Sequence, residues 1–177
     1  MRFVRDGKPT EDNFHRVADD APIPEGLPVL LTATRFLAEA PALAGRSAPV
    51  GVLWPNNKEI EELVPHLGQV AAVGLNFPSF RDGRAYSQAR LLRERYDYKG
   101  ELRATGQVLR DQFLFMLRAG FTAFEVLKDN DADHFAEAVH RYTRFYQQSV
   151  DRRPVIARAR LPRAEARSAT PRKVSQA

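Results

Sequence analysis

Between Phe77 and Gly106 the chain sets more polar side chains at turns than anywhere else along its length. The run Phe77-Pro-Ser-Phe-Arg-Asp-Gly-Arg follows an apolar stretch, Val70 to Phe77, and opens into helical spacing near Arg84. A loop so placed lies at the carboxyl end of a strand, where open α/β folds hold their ligands. Its residue types suit an anion. Gly83 permits unusual backbone angles, the first turn of the following helix offers unpaired N–H groups, Arg81 and Arg84 add fixed charge, and Ser87 can orient a bound group. The ordinary reading is a turn or N-cap in which Asp82 simply pairs with an arginine.

A second turn, Arg103-Ala-Thr-Gly-Gln, ends the next strand, so in a parallel sheet it opens at the same edge. An arginine inside a strand needs a carboxylate or a ligand, because burying it bare is costly. Asp82, Glu101, Asp111 and Glu125 are available as internal partners, and Arg110 follows one helical turn after Thr105 and Gly106. The expected crevice takes Arg81, Arg84, Ser87, Arg103 and Arg110 as anion-binding residues and Asp82 and Asp111 as acid or base.

Other chemistries find little footing. The four histidines, His15, His66, His134 and His140, do not stand at metal-binding spacing, and no metal or cofactor is expected. No Gly-x-Ser-x-Gly, Walker loop or Gly-x-Gly-x-x-Gly is present. With no cysteine, the chain has no disulfide, no thiol nucleophile and no thiolate for an iron–sulfur cluster.

The elements that must position the turns alternate. Short aliphatic runs at Pro28–Leu31, Pro49–Trp54, Val70–Phe77, Glu101–Thr105 and Ala123–Leu127 read as strands buried on both faces, as parallel strands are. Helical stripes fall between or after them. Ile60, Leu63, Val64 and Leu67 mark 58–67, Tyr86, Ala89, Leu92 and Tyr96 mark 84–96, and Phe135, Ala138, Val139, Tyr142 and Tyr146 mark 132–148. The expectation is one α/β domain of about five βα units with a mostly parallel sheet, either a half-barrel or a flavodoxin-like open sheet. The helix expected over 107–119 is apolar on more than one side, which places Phe113, Leu114, Phe115 and Leu117 between the core and a homodimer contact. The alternative is a monomer whose own ends cover that helix.

Residues 1–27 read as extended pieces around Phe3-Val4 and His15–Val17, with a hairpin turn at Asp6-Gly7. Residues 28–150 carry the α/β domain. Of 27 basic and 22 acidic residues, eight and two lie in 151–177, which leaves 19 against 20 in the body. The basic 151–177 tail, rich in proline and without aromatics, reads as mostly disordered, with Val155–Leu161 its only tethered part. Without a basic patch on the body or interleaved aromatics, no specific nucleic-acid binding is expected. The opening residues lack the apolar core of a signal peptide and no run is long enough to span a membrane, so a cytoplasmic protein is expected.

Three linked motifs are longer than chance provides: Phe77-Pro-x-Phe-x-Asp-Gly-Arg-x-Tyr-Ser-x-Ala-Arg-Leu-Leu-Arg, Gly100-Glu-Leu-Arg-Ala-x-Gly-x-Val-Leu-Arg-Asp-Gln, and Arg118-x-Gly-Phe. Over roughly residues 1–148 the chain resembles a bacterial family of unknown function whose members are labelled oxidoreductases of sulfite reduction. The resemblance implies a role in sulfur assimilation, with sulfite reductase or its electron donor as partner. Sulfite reduction takes six electrons through sirohaem and a thiolate-held cluster, which a chain without cysteine cannot hold, so the expectation is an accessory protein. The alternative from another class is an enzyme or sensor that binds sulfite, sulfate or a sulfo-nucleotide in the arginine crevice.

Overall fold

The computed structural model describes residues 2–5, 8–126, 131–142, 144–151, 153 and 155. Eight strands form one sheet: β1 (Arg2–Arg5), β2 (Lys8–Thr10), β3 (His15–Arg16), β4 (Val29–Thr32), β5 (Val50–Trp54), β6 (Ala72–Phe77), β7 (Glu101–Gly106) and β8 (Ala123–Val126). Their order is β2-β1-β8-β7-β6-β5-β4-β3. The run from β3 to β8 is parallel, while β1 pairs antiparallel with both β2 and β8. The protein is therefore α/β with a mostly parallel sheet, and the three short N-terminal strands belong to that sheet.

The order selects between the two architectures left open by the sequence. Strands β3 to β8 lie side by side in chain order, with no reversal. Right-handed crossovers then put every connecting helix on the same face, whereas a flavodoxin-like sheet reverses its order and is covered on both. One continuous core accordingly joins strand residues Leu31, Val52, Leu75, Ala104 and Phe124 to the helices through Phe36, Leu63, Ala89, Met116 and Phe135. The opposite face is free to curl inward.

Two connections measure the curl. Residues 11–14 join β2 at one edge to β3 at the other; five residue steps reach at most about 18 Å, whereas the outer strands of a flat eight-stranded sheet stand about 33 Å apart. Arg16 of β3 also pairs with Glu125 of β8, five strand places away. The sheet is a curled half-barrel.

The helices expected over 107–119 and 132–148 are shorter than their stripes predict, and others are wound partly as 3-10 or π turns. The helical segments are α1 (Ala33–Leu43), a 3-10 helix (Ile60–Gln69), α2 (Arg84–Arg90) running into a π turn (Leu91–Arg95), a 3-10 turn (Arg110–Gln112), α3 (Phe113–Ala119) and α4 (Asp131–His140). The helix expected from 107 begins only at 110, because Gly106 at φ 87° turns the chain and residues 107–109 stay outside any helix. Gly120 at φ 105° closes α3, its N–H bonded to the Leu117 carbonyl. The last helix stops at His140, so Tyr142 and Tyr146 are not on its buried stripe and are exposed. The Asp6-Gly7 turn, Leu127 and the tail from 156 onward lie outside the described residues. Of the expected tether, only Val155 is described; it is buried and bridges to Phe145.

The lower part of the half-barrel is filled. Arg103 is fully buried there, with Nε donating to Glu101 Oε1 and Nη1 to Asp12 Oδ2 at 2.8 Å. Its guanidinium packs against two rings, 4.6 Å from the centre of Phe3 and 4.4 Å from that of Phe14. Phe14 also reaches over Gly51, where a Cβ would stand 2.8 Å from Leu30 Cδ1 and 3.2 Å from Phe14 Cε1. A side chain at 51 would press on Leu30, Phe14 and the Ala72 carbonyl and force them to shift.

Candidate functional site

Above this plug the half-barrel remains open. A cavity of about 520 Å³ lies at the carboxyl ends of β4 to β8, lined by Thr32 of β4 with Ala33 and Thr34 after it, Leu53 and Trp54 of β5 with Pro55 after it, Asn76 of β6, Thr105 and Gly106 of β7, Glu125 and Val126 of β8, and Arg16 of β3. Parallel strands all end on one side, so their last residues converge on one mouth.

Local chemistry fixes the rim. Thr32 caps α1, its hydroxyl accepting from the Arg35 N–H at 3.3 Å and donating to Asp19 Oδ1 at 2.6 Å. The Thr105 hydroxyl is buried and donates to the Leu75 carbonyl at 3.3 Å. A Cβ on Gly106 would lie 2.5 Å from the Phe77 carbonyl oxygen and 2.7 Å from Asn76 Oδ1, so the strand ends pack closely there. Glu125 is almost completely enclosed, its side chain 6% exposed, whereas its partner Arg16 is 46% exposed. The mouth thus combines one acid and one base with three threonine hydroxyls and an amide, against walls of Leu53, Trp54, Pro55 and Val126. It can bind and orient a small molecule by hydrogen bonds and charge.

The residues expected to form an anion crevice are placed separately. Arg84 and Ser87 line a smaller cleft of about 290 Å³ with Asn56, Lys58 and Gln88. Arg84 is exposed and grips Asp82 through Nε at 3.0 Å and Nη2 at 2.7 Å. That guanidinium holds the Asp82 carboxyl well below the usual carboxylate range. Arg81 is exposed, its guanidinium 5.4 Å from the Phe80 ring centre. Arg110 and Asp111 line another cleft with His134, Glu137 and Arg141. Arg103 reaches neither cleft; its charge is met by Glu101 and Asp12 in the plug.

Tyr86, Tyr96 and Tyr98 beside these elements all hold their protons more tightly than a free tyrosine, Tyr86 and Tyr98 the most. Burial, and then the charge of Asp111, push the Tyr86 hydroxyl up to about 12. Burial raises Tyr98 further, where its hydroxyl donates to the Val70 carbonyl at 3.0 Å. Among the described residues no group of three or more His, Cys, Asp or Glu side chains is placed to hold a metal ion. None of the helices among them is long and apolar enough to cross a membrane.

Of the mouth residues, Thr105 and Gly106 are visible in the sequence as a turn at a strand end. Arg16, Thr32 and Asn76 carry no local signal, and Glu125 stands out only as one spare carboxylate among several. Arg16 and Glu125 are 109 residues apart and meet only because the sheet curls.

No curated protein and no solved structure matches the chain. A family model does, over residues 51–156, which include all but the first residue of β5, the whole of β6 to β8, and hence Asn76, Thr105, Gly106 and Glu125 of the mouth. With that match spanning more than half of its length, the chain belongs to the bacterial proteins of unknown function of the DUF934 family.

Proposed function

We propose that the protein is an accessory of assimilatory sulfite reduction that holds a small molecule in the mouth of its half-barrel and acts in contact with sulfite reductase or the reductase's electron donor. The observation that carries this reading is the 520 Å³ cavity at the strand ends, with polar groups set among apolar walls. The sulfur context comes from the linked motifs at 77–93, 100–112 and 118–121, and the accessory role from a sequence with no thiolate for a cluster.

Growth on sulfate as sole sulfur source tests it. A strain lacking the gene should grow poorly and recover with the wild-type chain, and the tagged protein should retain sulfite reductase or its donor. Thr34 is exposed at the rim, so Thr34→Trp should block the mouth without disturbing the core, and should fail to restore growth. Normal growth of the deletion strain together with an empty pull-down would discard the reading.

A second reading, a site for sulfite, sulfate or a sulfo-nucleotide, is favoured by one observation: Arg84, Ser87 and Lys58 share a cleft with the buried side-chain amides of Asn56 and Gln88. Calorimetry with these anions separates the readings. Heat that disappears in Arg84→Ala would favour the cleft. A homodimer through α3 belongs to the same proposal, since Phe113 and Leu114 are buried in the chain itself and Leu117 is packed against its core, while Phe115 is 65% exposed.

A further inference from the structure

The mouth contains one acid and one base, and they differ in freedom. Glu125 is only 6% exposed, on β8 in the interior of the curled sheet, so its carboxylate stays where it is. Arg16 sits on a two-residue edge strand with nearly half its side chain in solvent. With that much of it in solvent, the guanidinium can turn outward and stay hydrated when another positive donor takes its place at Glu125. The carboxylate cannot be left bare, because an unpaired buried charge is costly.

Those constraints select a ligand. Whatever displaces Arg16 must bring its own positive donor to Glu125. The released guanidinium, still at the rim, then faces the bound molecule and matches a carboxylate in a two-pronged bond. A simple anion would meet the buried carboxylate and be repelled, and a simple cation would use Glu125 alone, without the second charged contact that Arg16 offers. The hydroxyls of Thr32, Thr34 and Thr105 and the Asn76 amide complete the polar side, and Leu53, Trp54, Pro55 and Val126 offer an apolar wall for a side chain.

We infer that the mouth takes a small zwitterion of the amino-acid kind, its ammonium on Glu125 and its carboxylate on Arg16. This rests on the mouth being the functional site, as proposed above. Titration calorimetry on the full chain tests it with cysteine, methionine and alanine as whole zwitterions, cysteamine as the ammonium half and 3-mercaptopropionate as the carboxylate half. At least one whole zwitterion should bind, and the halves of cysteine should bind at least about tenfold more weakly than cysteine itself. Glu125→Gln should weaken zwitterion binding by about tenfold or more, with folding verified by circular dichroism. Arg16→Gln, with folding verified in the same way, should weaken cysteine and 3-mercaptopropionate, while cysteamine, freed of its competitor for Glu125, should bind at least as well as to wild type. The inference is overturned if no zwitterion binds, if the halves bind as well as the whole, or if both variants bind like wild type. If it fails in that way while Thr34→Trp still abolishes growth, the mouth remains the site and only the ligand class is wrong; if Thr34→Trp restores growth, the mouth itself is not the site.

Discussion

The guanidinium of Arg103 lies 4.4 Å from the ring centre of Phe14, and this contact ties a central strand of the sheet to the segment that links its two edges. The Phe3 ring also packs against it at 4.6 Å, and Glu101 and Asp12 take two of the three nitrogens. The third, Nη2, has no hydrogen-bond partner and lies within this aromatic enclosure. Glu101 in turn accepts from Arg5 Nε at 2.6 Å, so the plug joins β1, β7 and the connector in one network.

Arg103→Ala should therefore destabilise the fold by about 2–4 kcal/mol, because it removes the ion-pair partner of Asp12 and one of the two partners of Glu101, and empties a buried space beside two rings. Arg103→Lys should recover little, since a compact ammonium lacks the planar fork that packs against the rings while reaching both carboxylates. Urea denaturation measures both. A loss under about 1 kcal/mol for the alanine variant would show that the plug does not hold the sheet closed.

Gly106→Ala should cost about 1–3 kcal/mol, since it places a side chain at φ 87° and drives its Cβ to 2.5 Å from the Phe77 carbonyl oxygen. The same change pushes on Asn76 and should alter ligand binding in the mouth. A variant as stable as wild type would mean that the backbone relaxes there without strain.

Alkaline pH should unfold the protein earlier than its composition alone suggests. Tyr86 and Tyr98 keep their protons more tightly when folded than at the ordinary value of 10.0. Their stabilising contribution is complete below pH 10 and is lost as pH rises toward the folded value, about 12 for Tyr86. Tyr98→Phe should lose about 1 kcal/mol at neutral pH with the Val70 hydrogen bond, yet show a shallower loss between pH 10 and 12. Parallel slopes for the two proteins in urea melts across that range would refute the assignment to Tyr98.

Phe115→Asp should convert a dimer to a monomer in light scattering without lowering stability, because that side chain is 65% exposed within one chain. A wild-type protein that is monomeric at high concentration would remove the dimer from the proposal.

The sequence by itself determined the strands from β4 to β8, nearly residue for residue, because continuous aliphatic runs between turn residues have few other ways to bury themselves. It also located the turn at Thr105-Gly106, where glycine at a strand end signals a sharp change of direction. Helix lengths were less legible: apolar spacing continues past His140 through Tyr142 and Tyr146, although the helix does not. Tertiary structure alone decided the order of strands, and with it the half-barrel, since strand order is a relation between segments that no local pattern encodes. It decided the fate of Arg103, whose partners include Asp12, 91 residues away. It also decided the mouth, because Arg16 and Glu125 have ordinary sequence surroundings and acquire a common role only when curling brings an edge strand across to β8.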